Sequence, residues 1–471
     1  MREFPVLKLP LFFGVLSLAI SSAFLVFALE SHPSYFDSAE RNLYPDAIDY
    51  GRLARNMIEN KTFSRTTDLQ PDPLRTPGYP LLLCLFRSDI SPVWTYIAQI
   101  LMLAGTVFFV VKMTKEAFGD CAAVIAGSLM VTEHSLYCLA LQTMTEIAGL
   151  FFFLCGLGIA KWPCKKLSDS SFKRLAGSAF FLSYAVLIRP SFLMIPFALL
   201  FVDAASSWWN RRYIFPMHFS FRSIVFVLLF SIMPTGWVAR NYFLFGLPQL
   251  TPVSTHNLVY FVGAGAIQYR EKVDRDEAQA RIADRYELPP YFMAQTPVQK
   301  NASTVSEIER KLQEKKWRIV FHDPQSLLCA ELIGIAKGSV SHAMEDVCML
   351  TGQQWLPPGF FGLVKFDSSA YHSLFMNTPF ILFVFYLHIA NLSFLYFGAF
   401  LFFMFVCRSI SNATVLMNIG CILICGYLTI ALFGMDAVYR SRLGVLPVLC
   451  MISGAGFARF PSQFTSKFDK R

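Results

Sequence analysis

Leu11-Phe12-Phe13-Gly14-Val15-Leu16-Ser17-Leu18-Ala19-Ile20-Ser21-Ser22-Ala23-Phe24-Leu25-Val26-Phe27-Ala28-Leu29 contains no charged residue. The hydrocarbon core of a bilayer is about 30 Å thick and a helix rises about 1.5 Å per residue, so a run of this length and composition reads as a spanning helix. Similar runs lie near 92–111, 121–140, 146–160, 175–188, 190–203, 223–238, 378–406, 413–433 and 443–458. The expectation is an all-α polytopic membrane protein of about ten transmembrane helices. The pair 175–188 and 190–203 is divided by Arg189-Pro190, so a re-entrant hairpin is the alternative there. The first run is longer than the apolar core of a signal peptide and no small-residue cleavage site follows, so it reads as an uncleaved anchor.

Composition agrees. Of 471 residues, 55% are hydrophobic and 15% charged, and 48 are Phe. A soluble domain carries about 25% charged residues, so this chain lacks the polar groups to cover a globule of its size. A disulfide scaffold, a disordered tail and a soluble two-domain enzyme are all poor fits. The net charge of +9 would suggest a nucleic-acid partner in a soluble protein. Here it follows the membrane topology instead. With the N-terminus cytoplasmic, inner segments hold seventeen Lys and Arg against six Asp and Glu, the positive-inside bias. This predicts both termini inside and no nucleic-acid partner. Two long segments, 30–91 and 239–377, then face outward.

The chain is thus read as an N-terminal transmembrane module (1–238) containing the first outer loop (30–91), an outer segment (239–377) and C-terminal transmembrane helices (378–471). Most of the eleven cysteines lie in or beside spans, where Cys acts as a small hydrophobe. Cys84, Cys329 and Cys348 face outward, and whether Cys329 and Cys348 pair stays open. Asn60-Lys61-Thr62 and Asn301-Ala302-Ser303 are acceptor sequons.

In the first outer loop Tyr50, Leu53, Ala54, Met57 and Ile58 recur at helical spacing and predict an amphipathic surface helix. Asp46 opens it and Asp49 follows about one turn later; both suit helix capping as well as chemistry. Arg75-Thr76-Pro77-Gly78-Tyr79-Pro80 closes the loop with a rigid turn, where Arg75 could simply snorkel. The second outer segment is expected to be mostly helical, with charged helices near 270–287 and 304–318. Their pairs Glu307–Lys311 and Glu314–Arg318 indicate solvated faces. His256 and Asn257 are candidate cavity-lining residues. An ionisable pair inside a span is a functional candidate by default, and Glu133-His134 is one.

Several motifs in order resemble the glycosyltransferase C superfamily (GT-C), most closely its bacterial branch related to protein O-mannosyltransferases and aminoarabinose transferases. They are Pro45-Asp46 with Tyr50 and Leu53-Ala54, Arg75 to Pro80, Thr145-Glu146, Arg189-Pro190, Arg240-Asn241-Tyr242 with Phe245-Gly246, and Tyr439-Arg440-Ser441-Arg442. Residues 265–375 match only loosely, and Glu133-His134 departs from the pattern.

The resemblance implies a transferase moving a hexosyl or pentosyl unit from a polyprenyl-phosphate donor to a lipid, glycan or protein acceptor. It also implies a bacterial inner membrane, with the reaction on its periplasmic or exterior face. Asp46 would be the general base of an inverting reaction, with Asp49 the local alternative. Glu146 would orient the acceptor or base, or help hold a divalent metal (Mg²⁺ or Mn²⁺). Arg189, Arg240, Arg440 and Arg442 are the cations expected at the donor phosphate; Tyr50, Arg75, Tyr79, Asn241, Asn257 and Tyr439 complete the expected substrate-binding set. A transporter or flippase of lipid-linked sugars is the alternative, although such designs favour midplane polar groups and internal repeats, whereas the distinctive polar residues here cluster at outer span ends and in the first loop, and no repeat is visible. A non-catalytic scaffold would leave the Asp46 and arginine arrangement a coincidence.

Overall fold

The computed structural model describes residues 8–33, 45–87, 91–164, 170–211, 221–291, 302–352, 379–407, 410, 413–437 and 439–468. The basic residues Arg2, Lys165, Lys166, Arg212, Arg408, Lys470 and Arg471, their acidic neighbours Glu3, Asp169 and Asp469, and the Asn301 sequon lie outside them.

Among the described residues, the regular elements are helical. Lys8–Ser31, Pro92–Phe118, Phe221–Phe245, Phe383–Val406 and Thr414–Ala431 are long and apolar enough to span a membrane. The chain is a multi-pass integral membrane protein. The expected ten spans are not all of full length. Thr145–Ile159, Pro190–Ala205 and Leu446–Phe460 are apolar but shorter, and Phe172–Ile188 stops at Arg189. The reason is local: Glu146, Arg189 and the 439–442 segment end these helices on polar side chains that pair with one another.

The expected single span at 121–140 is broken. Asp120–Thr132 and His134–Ala140 meet at 54°, with Glu133 in extended backbone geometry between them. Its carboxylate accepts hydrogen bonds from Ser135 Oγ (2.5 Å) and Asn391 Nδ2 (3.2 Å), side-chain partners that hold this residue at the break.

The bundle core is continuous across Leu103, Val107, Ala126, Leu150, Leu154, Leu182, Leu449 and Ile452. Apolar side chains also cover the outside. Phe221, Ile224, Leu228 and Ile232 are exposed at helical spacing, as are Phe394, Phe397 and Phe400. Water would penalise such stripes, whereas lipid tails solvate them. A second, smaller core formed by Val259, Tyr260, Ile267, Ile282, Tyr286, Leu312 and Ile319 organises the second outer segment. Its helices include Arg275–Tyr286 and Ala302–Val320. Lys311 pairs with Glu307 at 2.9 Å, but Glu314 takes Arg310 at 3.7 Å in place of Arg318. Cys329 and Cys348 are both free thiols.

The amphipathic helix forms as Pro45–Glu59. Tyr50, Leu53 and Ala54 are buried, with Leu53 wholly enclosed, a burial that contributes roughly 1.5–3 kcal/mol for such a side chain. This helix packs on the short Gly78–Leu85 helix. Gly78 is required at that contact. A Cβ there would lie 2.6 Å from the backbone of Leu187 and Ile188, one residue from Arg189, and the Gly78 carbonyl accepts from Tyr184 Oη at 2.9 Å. Backbone cannot rotate away as a side chain can. Gly78→Ala is therefore expected to cost about 1–3 kcal/mol, read as a lower Tm of the purified protein. An unchanged Tm would show that the loop does not seat against the 172–188 helix.

Candidate active site

The first outer loop is held by an ion-pair ladder. Arg65 binds Asp72 through Nε and Asp49 through Nη1 (2.5 Å). Asp72 Oδ1 accepts from the backbone N–H of Leu74 (2.6 Å) and Arg75 (3.2 Å). The Asp72 carboxylate thus fixes where Arg75 leaves the loop. Arg75 Nη2 then donates to Asp46 Oδ1 at 2.5 Å and Asp49 Oδ2 at 2.8 Å. Its guanidinium lies over the Tyr50 ring, 5.3 Å from the centroid, a cation–π contact. Tyr50 in turn packs edge-on against Tyr79, whose hydroxyl donates to Gln99. Burial pushes the Tyr50 phenol up to about 12, so it stays neutral.

Across from this loop, the membrane helices supply a second group. Glu146, wholly buried, opens the Thr145–Ile159 helix. Its Oε1 lies 2.9 Å from Arg189 Nη1 and 2.7 Å from Arg440 Nη2. Arg189 also donates to Thr145 Oγ1 at 3.3 Å. Arg440 Nη2 then reaches toward the loop, 3.9 Å from Asp46 Oδ2. Asp46, Asp49, Glu146, Arg75, Arg189 and Arg440, from positions as distant as 46 and 440, form one connected cluster, joined through Asp49 to the Arg65–Asp72 pair.

Their exposures differ. The side chain of Asp46 is 39% exposed, that of Asp49 15% and that of Glu146 0%. Among the three, Asp46 has the most exposed side chain. Burial raises the Asp46 carboxyl, but the charges of Arg75 and Arg440 outweigh it and hold it below the usual carboxylate range. It is ionised at neutral pH.

A divalent cation held at this cluster would compete with its arginines. Each of the three carboxylates is already neutralised by a guanidinium within hydrogen-bond distance, and a metal would have to displace those arginines.

Other expected site residues lie elsewhere. Arg240 sits 4.6 Å from the Trp237 ring and 5.2 Å from Phe245, and donates to the Asp72 carbonyl (2.7 Å) and to Asn241 Oδ1 (2.8 Å). Asn241 Nδ2 caps the following turn at the carbonyls of Gln249 and Leu250. Both act as props beneath the loop. Asn257 ends a short helix beside His256, whose ring lies 3.5 Å from Glu309. Tyr439 donates to Asp346. Arg442 has no exposed side-chain surface and lies 3.3 Å from Glu133.

The sequence reading missed Arg65, Asp72 and Gln99, which organise the loop from positions with no motif around them. An Arg and Asp seven apart in a polar stretch is a signal too common to select.

No protein-family model matches the chain, and no curated protein matches it. Among solved structures, it is similar to ArnT from Cupriavidus metallidurans, in the apo state and bound to undecaprenyl phosphate. In both cases the TM-score is 0.37 at 11% identity, over 94% of this chain and 77% of the other. A likeness this distant leaves the chemistry to be argued from the side chains.

Proposed function

We propose that the protein is a membrane glycosyltransferase that moves a sugar from a polyprenyl-phosphate donor to an acceptor hydroxyl on the non-cytoplasmic face. The observation that carries this reading is the half-exposed, ionised Asp46 held between Arg75 and Arg440. A carboxylate beside paired guanidinium groups meets two demands of this chemistry at once. The leaving phosphate gains negative charge and needs preorganised cations. The attacking hydroxyl must lose a proton as it bonds to the anomeric carbon.

In the proposed reaction the acceptor oxygen bonds to the anomeric carbon from the face opposite the phosphate. The carbon–oxygen bond to phosphate breaks, and its electron pair leaves with polyprenyl phosphate. The hydroxyl proton passes to Asp46. Attack from the opposite face inverts the anomeric centre without a covalent enzyme intermediate. Arg189 and Arg440, positioned by Glu146, receive the departing charge. A phosphate that draws Arg440 and Arg75 toward itself would also loosen their hold on Asp46 and make it a better base.

The test uses purified protein in lipid nanodiscs with a labelled polyprenyl-phosphate sugar. Release of polyprenyl phosphate with label moved to an acceptor is the expected result. Movement of the lipid-linked sugar across vesicles without bond cleavage would identify a flippase instead.

The pH profile is a further expectation. Because the folded Asp46 carboxyl is lowered by its arginines, kcat/KM should show no acidic limb from this group above the ordinary Asp value of about 3.9. Removing Arg75 leaves burial less opposed, so Arg75→Met should move an acidic limb upward. A limb that stays in place would mean that Arg75 does not set the ionisation of the base.

A further inference from the structure

Glu133, His134 and His388 form a second polar cluster that the proposed transfer does not use. We infer that they constitute a buried binding site for a divalent transition-metal ion of the zinc class, joining the broken third span to the span at Pro379–Leu401. The inference is independent of the transferase reading.

One ring nitrogen of each histidine and a Glu133 carboxylate oxygen lie within 4.8 Å of one another. The two rings meet edge-on with centroids 4.8 Å apart, and His388 Nδ1 is 3.9 Å from Glu133 Oε1. All three side chains are buried; His134 is 7% exposed and His388 2%. Neither ring nitrogen of His134 makes a hydrogen bond of normal geometry, and the same holds for His388. Burying polar nitrogens without partners costs about 1–3 kcal/mol each on protein scales. A cation accepting the lone pair of one nitrogen in each ring removes that cost for those two nitrogens.

The donor set selects the ion. Two imidazoles and one carboxylate favour zinc and its first-row neighbours over Mg²⁺ or Ca²⁺, which prefer oxygen alone. Metal sites also need an outer layer that orients the ligands. Here Asn391 Nδ2 and Ser135 Oγ hold the Glu133 carboxylate, and the Val340 backbone faces the His388 ring. Arg442 is the opposing consideration, since its guanidinium shares Glu133 Oε1. It is anchored independently on the carbonyls of Ser339 (2.8 Å) and Ser341 (3.2 Å).

The test loads chelator-stripped, purified protein with Zn²⁺ or Co²⁺ and removes excess ion by desalting. Expected are one ion retained per chain and, for Co²⁺, the visible absorption of a nitrogen- and oxygen-ligated site. His134→Ala and His388→Ala should lose both, while His322→Ala, in an exposed turn of the outer segment, should keep them. Asn391→Ala, which touches no ion, should weaken retention by about 10–100-fold. The wild-type spectrum needs no variant, so a folding defect in His134→Ala or His388→Ala does not hide the answer. Wild-type protein that retains no stoichiometric ion, or histidine variants that retain it fully, would overturn the site.

Discussion

Asp46→Asn is expected to lower the turnover of sugar transfer by about 10²–10⁴-fold, the usual contribution of a positioned general base, while the protein folds normally. The amide is isosteric, and its carbonyl oxygen can still accept from Arg75 at the position now 2.5 Å away. What it lacks is the ability to take a proton. The loss should therefore appear in kcat with little change in KM for the donor, because donor binding rests on the arginines. Asp49→Asn makes the comparison informative. Asp49 is gripped by Arg65 and Arg75 and is largely enclosed, so its substitution should reduce stability more than chemistry. Full turnover by a folded Asp46→Asn protein would remove Asp46 as the base. A larger loss for Asp49→Asn at wild-type stability would transfer the role to Asp49.

The second large effect is expected at Arg442, as instability. Its side chain and that of Glu133 have no exposed surface. Removing one member of a buried ion pair leaves the other charge uncompensated, which costs about 3–5 kcal/mol. Arg442→Met should thus lower the Tm or the yield of folded protein sharply. Replacing both partners, Glu133→Gln with Arg442→Met, should recover part of the loss, because no unpaired charge then remains. If Arg442→Met instead keeps wild-type stability and raises KM for the donor, Arg442 binds phosphate and its buried placement is not the working one.

The same geometry explains how one arginine of the tetrapeptide reaches the site. Tyr439 is tied to Asp346 and Arg442 to Glu133 and two backbone carbonyls. Arg440 lies between these anchors and points at Glu146. The flanking residues fix the short helix, and Arg440 is what it presents.

Part of this arrangement was legible in the sequence. The amphipathic stripe from Tyr50 to Ile58 announces its helix because helical periodicity is a property of a few consecutive residues. Span positions follow for the same reason, and the apolar runs near 92 and 223 begin within a few residues of the helices observed. Asp46, Arg75, Glu146, Arg189 and Arg440 were singled out by motifs that resemble the GT-C superfamily, and the fold brings these five together. The break at Glu133 was not legible, since Asn391, one of the partners of its carboxylate, lies more than 250 positions away.

By itself, then, the sequence determined that the chain is helical and that it lives in a membrane. These depend on local hydropathy and periodicity, which the bilayer reads residue by residue. It could not decide among chemically equivalent arginines. Arg240 and Arg442 look like Arg189 and Arg440 in their surroundings, yet one braces the loop through Asp72 and the other closes a buried pair with Glu133. Only the tertiary structure assigned these partners. A guanidinium has no role until a particular carboxylate or carbonyl lies within about 3 Å of it, and that choice is made by helix packing across hundreds of residues.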